Sequence, residues 1–178
     1  PGAPCAAAPP PYWRPGLSPV LLRPRCPLEE VSTLTAWTAV AVCNAVERVC
    51  GVRPGIKWPN DVILDGRKLC GILTELELEA ETAALRHVVV GVGINLTQTA
   101  ADFGPEVAPV AVSLAQALGR APRRAEMAAA VLAALDELYA AFPAERAAWL
   151  ERYRADCLTL GRTVRLLRAG EEEEAFAE

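Results

Sequence analysis

Residues 17–158 predict an α/β domain, a mixed sheet flanked by helices. Three features carry that expectation: a helical apolar stripe between Pro27 and Cys50, a tight-turn signal at Asp65-Gly66 between two apolar runs, and a valine-rich run from His87 to Ile94. Helix-like, Ala-rich segments then follow the last of these runs.

The first sixteen residues hold six prolines and four alanines. Proline at that density blocks helix and sheet alike, so residues 1–16 are expected to be disordered or non-native. The segment LSPVLLRP after them predicts one short strand, with Pro19 marking an edge or an entrance. A helix is expected from about Pro27 to Cys50. Pro27 suits its first position, and Glu29 and Glu30 suit the positive end of the helix dipole. Val31, Leu34, Thr38, Ala41, Val42, Ala45 and Val49 fall on one face at helical spacing. Gly51 ends the helix.

Ile56 to Leu76 predicts a β-hairpin. Asp-Gly fits a two-residue type I′ turn, which needs positive φ at both positions. His87 to Ile94 is so continuously apolar that a strand buried on both faces is expected. Helices are predicted at about Val110–Leu118 and Ala125–Ala141. A third, opened by Pro143, presents Trp149, Leu150 and Tyr153. From Thr163 the pattern becomes strand, turn at Ala169-Gly170, strand. Such a hairpin is marginal in isolation, and Val164, Leu166 and Phe176 are expected to be exposed on it.

Composition excludes several classes. Apolar residues make up 52% of the 178, enough for a sizeable core, and the net charge is -4. A nucleic-acid partner held by bulk positive charge does not fit that balance. The arginines at 120, 123, 124, 146, 152 and 154 read as solvated helix faces. The six cysteines include no C-x-x-C pair, and the single histidine cannot complete a zinc cluster. Cys43 and Cys50 would lie about 10 Å apart along a helix, too far for a disulfide. Free thiols in a reducing cytoplasm are expected, with no membrane segment and no signal peptide.

Two short elements carry the chemistry. In Lys57-Trp58-Pro59-Asn60-Asp61, Pro59 is expected to hold the backbone extended and fix Lys57 at the mouth of a sheet. Asn60 and Asp61 are expected to bond local backbone and set the bend. On spacing alone, a surface lysine beside a turn accounts for the same residues. In Gly91-Val92-Gly93-Ile94-Asn95, small residues let a ligand lie against bare backbone. Asn95 offers a donor and an acceptor at the strand end. A close strand-packing site explains these glycines equally well, and the pattern is not a dinucleotide fingerprint.

Together with Gly66-Arg67-Lys68-Leu69-Cys70-Gly71-Ile72-Leu73-Thr74-Glu75, these elements closely resemble biotin protein ligases. The resemblance runs with decreasing strength from about Leu17 to the end. It implies a class II aminoacyl-tRNA synthetase-like catalytic domain over 17–158 and the start of an SH3-like barrel over 159–178. The implied chemistry joins biotin to ATP as biotinyl-AMP, then passes biotin to a lysine of the biotin carboxyl carrier domain of acetyl-CoA carboxylase. Lys57 resembles the family lysine beside the biotin carboxylate and the nucleotide α-phosphate. Lys68 and Asn95 resemble nucleotide-side residues, and Gly71, Gly91 and Gly93 resemble pocket-wall positions. Trp58, Pro59, Asn60 and Asp61 are expected to shape the site. Magnesium is expected with ATP, without an assigned protein ligand. A homodimer and a cytoplasmic location fit the same resemblance.

The departures from the family pattern are also specific. Its Ser-Thr-Asn-type element and its arginine-bearing Gly-Arg-Gly loop, both upstream of the lysine motif, have no match here. A fragment, or a misread frame joined near Leu17, would produce this start. Impaired turnover of the chain as written is therefore expected. A non-catalytic remnant that binds biotin or a partner, and a lipoate ligase-like adenylating enzyme, stand as alternatives. A biotin-responsive repressor would need a helix-turn-helix ahead of the catalytic part, which the Pro/Ala start does not supply.

Overall fold

The computed structural model describes residues 19–82, 84–168 and 171–178. The expectation for residues 1–16 and the turn at 169–170 fall outside these. The chain runs β1 (Val20–Leu22), α1 (Leu28–Val31), α2 (Leu34–Cys50), β2 (Gly55–Lys57), β3 (Asp61–Leu64), β4 (Arg67–Leu78) and β5 (Leu85–Ile94). Then follow α3 (Ala100–Phe103), α4 (Leu114–Leu118), α5 (Arg124–Ala141), α6 (Arg146–Asp156), β6 (Thr163–Arg168) and β7 (Glu171–Phe176).

The main sheet has the order β1-β5-β4-β3-β2. Every neighbouring pair in it is antiparallel. Among the described residues, parallel pairing is confined to two isolated bridges, Ile56 with Cys157 and Lys68 with Ala111. The sheet is mixed only in that sense. β1 is an edge strand, as Pro19 suggested.

The helix expected over Pro27–Cys50 is two helices. Ser32 and Thr33 turn their hydroxyls back onto the carbonyls of Glu29 and Glu30 at 2.7 Å each. Such bonds offer the backbone an alternative to the helical ladder, and α1 stops there. Gly51 ends α2 at φ 74°, as expected. The single apolar stripe is too narrow a description of α2. Every residue from Trp37 to Cys43 is buried. One side of the helix packs on the sheet and the other on α5 and α6. Trp37 stacks on Trp149 at 5.4 Å and meets Phe142 edge-on at 4.8 Å.

β5 also departs from expectation. Val88, Val90, Val92 and Ile94 are buried, but the residues between them are only partly covered. The strand is buried on one face, and valine on the other face reflects β propensity rather than a second core. The helix expected at 110–118 shortens to α4, because Ser113 caps it in a reciprocal box with Gln116. In the two-stranded C-terminal sheet, Leu167 and Phe176 are exposed while Val164 and Leu166 are half-buried.

The β3–β4 turn is the two-residue turn that Asp65-Gly66 predicted, with φ 51° and 72°. Nothing lies within 4 Å of a Cβ placed on Gly66, so the requirement there is backbone geometry alone. Gly66→Val should lower unfolding free energy by about 1–2 kcal/mol, the cost of left-handed backbone for a β-branched residue. Urea denaturation measures this; an unchanged midpoint would show that the turn is not needed.

Candidate active site

The register sets the site. Lys57 faces Asp61, Asp61 faces Gly71, and Gly71 faces Gly93 across β2, β3, β4 and β5. Directly opposed residues in antiparallel strands share a face. These four therefore form one row on the side of the sheet away from α2. The neighbouring row, Ile56, Val62, Cys70 and Ile94, is buried beneath that helix. Gly91 lies opposite Leu73 on the same open face, and Leu73 is exposed beside it.

A β-bulge in β4 brings in a second lysine. Val62 pairs with Cys70 but Ile63 pairs with Lys68, so Leu69 is an extra residue. Leu69 and Cys70 are consecutive and both buried. In a regular strand, Lys68 and Gly71 would point to opposite faces. The bulge restores Lys68 to the face of Gly71. Its Nζ sits 2.6 Å from Asp61 Oδ1. A Cβ on Gly71 would lie 3.3–3.4 Å from Lys68 Cε and Nζ, so the ammonium stands directly over the glycine. The Lys68 side chain is 45% exposed and that of Asp61 25%. A pair so open adds little to stability. It does fix where the ammonium sits.

The bulge needs partners for its freed backbone groups. Lys68 N–H donates to Val110 O at 2.8 Å, and Lys68 O accepts from Val112 N–H at 2.9 Å. Asn95 supplies more. Its Nδ2 donates to Lys68 O at 3.3 Å and Val112 O at 3.2 Å, and its N–H donates to Leu69 O at 2.9 Å. The amide nitrogen of Asn95 is thus engaged in holding the bulge, while no described residue donates to its Oδ1.

The remaining residues of the lysine motif behave differently from expectation. Residues 58–60 form the turn between β2 and β3, so Pro59 does not extend the chain. Asn60 reaches across to β4: its Nδ2 donates to Ile72 O at 2.8 Å, and its carbonyl accepts from Ile72 N–H at 3.0 Å. Asp61 bonds Lys68 rather than local backbone. Trp58 is 63% exposed, and its backbone N–H donates to Thr159 Oγ1 at 3.2 Å. Lys57 is exposed at the end of β2 and makes no ion pair among the described residues.

Gly55 and Leu69 were not singled out in the sequence. A Cβ on Gly55 would fall 2.6–2.8 Å from Leu158 side-chain atoms, so only glycine fits there unless Leu158 moves. The consecutive apolar pair Leu69-Cys70 inside an alternating strand was the available signal for the bulge. Among the described residues, no group of three or more His, Cys, Asp or Glu side chains gathers to hold a metal. No helix of the described residues is long and apolar enough to cross a membrane.

Residues 20–95, which contain the whole main sheet, match the model of the Biotin/lipoate A/B protein ligase family. The bifunctional ligase/repressor BirA of Bacillus subtilis is 40% identical over 120 residues, which is 67% of this chain and 36% of that protein. The biotin–[acetyl-CoA-carboxylase] ligase of Mycobacterium tuberculosis is 34% identical over 143 residues, 79% of this chain and 50% of that protein. The chain thus spans about a third to a half of the length of these curated relatives. The apo biotin protein ligase of Aquifex aeolicus superposes with TM-score 0.75 at 25% identity, covering 89% of this chain and 67% of that one. The Aquifex aeolicus enzyme in complex with biotin and ATP superposes with TM-score 0.71 at 26% identity, covering 89% and 64%.

Cys70 sits within the motif but faces the core. Burial pushes its thiol well above the usual range, and burial likewise pushes the Cys43 thiol up to about 12. A thiol held protonated is a poor nucleophile. At pH 8, iodoacetamide should leave Cys43 and Cys70 unmodified in the native protein and label both after unfolding, as read by peptide mass spectrometry. Rapid native labelling of Cys70 would mean that it opens to the glycine face.

Proposed function

We propose that this chain carries the biotin-activating site of a biotin protein ligase. The single observation behind the proposal is the Lys68 ammonium, held by Asp61 above a strip of bare backbone at Gly71 and Gly93. Glycine backbone accepts a flat ring or an aliphatic chain closely, and an ammonium at its end suits a carboxylate. Biotin offers that combination.

In the proposed reaction, a biotin carboxylate oxygen attacks the α-phosphorus of ATP. The P–O bond to the β-phosphate breaks, and pyrophosphate leaves with the electron pair. Biotinyl-AMP remains, and a carrier lysine amine then displaces AMP. The first step brings two anions together, so a fixed cation between them stabilises the charge that develops. Lys68 stands at the glycine end of the row and meets the carboxylate and α-phosphate. Lys57, which the resemblance sets beside the biotin carboxylate and the α-phosphate, adds a second positive charge toward the nucleotide from the β2 end. Gly91 and Gly93 form the wall against which biotin lies. Asn95 acts through the bulge, and its Oδ1 is placed for the nucleotide. Magnesium would arrive with the ATP phosphates, since oxygen-rich polyphosphate is its usual ligand. The carrier is a biotin carboxyl carrier domain of acetyl-CoA carboxylase, and the cytoplasm is the compartment this chemistry implies.

The test is pyrophosphate release from the purified chain with ATP and magnesium, with biotin, with lipoate and with neither. Biotin should raise release above the background. Lys68→Ala should reduce the biotin-dependent rate by about 100-fold or more, the loss of one preorganised charge contact. Lys57→Ala should reduce it less. Stimulation by lipoate but not biotin would move the chain to the lipoate branch, and biotin-dependent release untouched by Lys68→Ala would remove Lys68 from the reaction.

A further inference from the structure

The strand that ends in Lys57 is gripped from outside the sheet. Arg53, two residues before β2, donates through Nε and Nη2 to Asp156 Oδ1 and Oδ2 at 2.7 and 2.6 Å. Its Nη1 donates to Glu47 Oε2 at 2.6 Å and Asn44 Oδ1 at 3.1 Å. One guanidinium therefore joins α2, the end of α6 and the entry to β2. The Asp156 side chain is only 9% exposed. A two-pronged pair at that depth is geometrically specific, unlike the exposed pairs elsewhere on the helices.

The residues after Asp156 continue the grip. Cys157 bridges Ile56 in parallel, and Leu158 N–H donates to Ile56 O at 2.7 Å. Leu158 covers the α-carbon of Gly55, and Thr159 Oγ1 accepts from Trp58 N–H. Residues 156–159 thus run beside β2 as a short extra edge and hold Arg53, Gly55, Ile56 and Trp58. Lys57 lies among the held residues, and the turn beyond leads directly to Asp61, the partner of Lys68.

We propose that Arg53 with residues 156–159 forms a latch that positions the Lys57–Asp61 turn, and through Asp61 the Lys68 ammonium. Arg53 and Asp156 are positioning residues here; neither lies on the glycine row. The same four residues lead into β6, so the latch ties the C-terminal two-stranded sheet to the site strand through continuous chain. The consequence for turnover rests on the biotin-activation reading; the consequence for the β2–β3 segment does not.

The test separates the two. In the full chain, amide hydrogen exchange is followed by NMR for the parent, Asp156→Asn, Arg53→Met, Thr159→Val and Arg53→Met/Asp156→Asn. Asp156→Asn keeps shape and removes the charge. The amides of residues 56–58 and 60–62 should exchange at least about 10-fold faster in it, with those of α2 at 40–43 unchanged, since local opening is independent of global unfolding. Thr159→Val should accelerate the Trp58 amide in the same way. The double variant should exchange at least as fast as Asp156→Asn, with a loss of protection less than the sum of the two separate losses, because the Arg53–Asp156 contact is shared while Arg53→Met also removes the bonds to Glu47 and Asn44. With biotin and ATP, kcat for pyrophosphate release should fall by at least about 10-fold while the KM for biotin changes less than about 2-fold, a loss felt at the transition state. Equal acceleration across all elements, no acceleration, or an unchanged kcat would overturn the latch. If the parent chain releases no biotin-dependent pyrophosphate, the biotin reading fails and exchange alone decides the latch.

Discussion

Leu69 and Cys70 are neighbours in β4, and both side chains point into the core. An unbroken strand cannot do this, because successive side chains alternate faces. The chain resolves the conflict with one extra residue, and the phase of β4 changes on either side of it. Beyond the bulge, Gly71 and Leu73 face away from α2, and Ile72 faces toward it. Before the bulge, Lys68 shares the face of Gly71. Burying a leucine side chain is worth roughly 1.5–3 kcal/mol, so the core sets the position of Lys68 far more firmly than its half-exposed pair with Asp61 could.

That constraint also explains Asn95 and residues 110–112. A bulge frees backbone donors and acceptors that the ladder no longer serves. Val110, Val112 and Asn95 take them up, and so the end of β5 and the approach to α4 close around Lys68. On the far side of the sheet, α2 is surrounded by apolar contacts, with Trp37 between Phe142 and Trp149. The molecule therefore has a rigid, dry face and an open face of glycine, leucine and paired charge. Fixed groups on a rigid support suit a reaction that must hold two anions together.

Much of this was legible from the residues. Asp65-Gly66 determined its turn because few residue pairs tolerate two positive φ angles in succession. Gly51 ended α2 for the same reason, and Pro19 marked an edge strand. The row of Lys57, Asp61, Gly71 and Gly93 follows once the hairpin register is known. The bulge was harder, because Leu69-Cys70 could equally have been one buried and one exposed residue. The break at Ser32-Thr33 depended on hydroxyl bonds that compete with the helix at small margins. α2 read as one-sided because its second apolar face becomes visible only when α5 and α6 cover it. Arg53 and Asp156 are 103 residues apart, and no local pattern links them. Long-range ion pairs of that kind carry no periodicity.

The central claim is that the open glycine face, with Lys68 placed over it by the bulge, is where a carboxylate-bearing ring ligand sits. Titrating biotin into the isotope-labelled chain and following backbone amide shifts by NMR tests it most directly. The largest shifts should cluster at Lys68, Gly71, Leu73, Gly91 and Gly93. Shifts concentrated instead on the opposite side of the molecule, at Glu137, Ala141, Trp149 and Arg152 on α5 and α6, would contradict it.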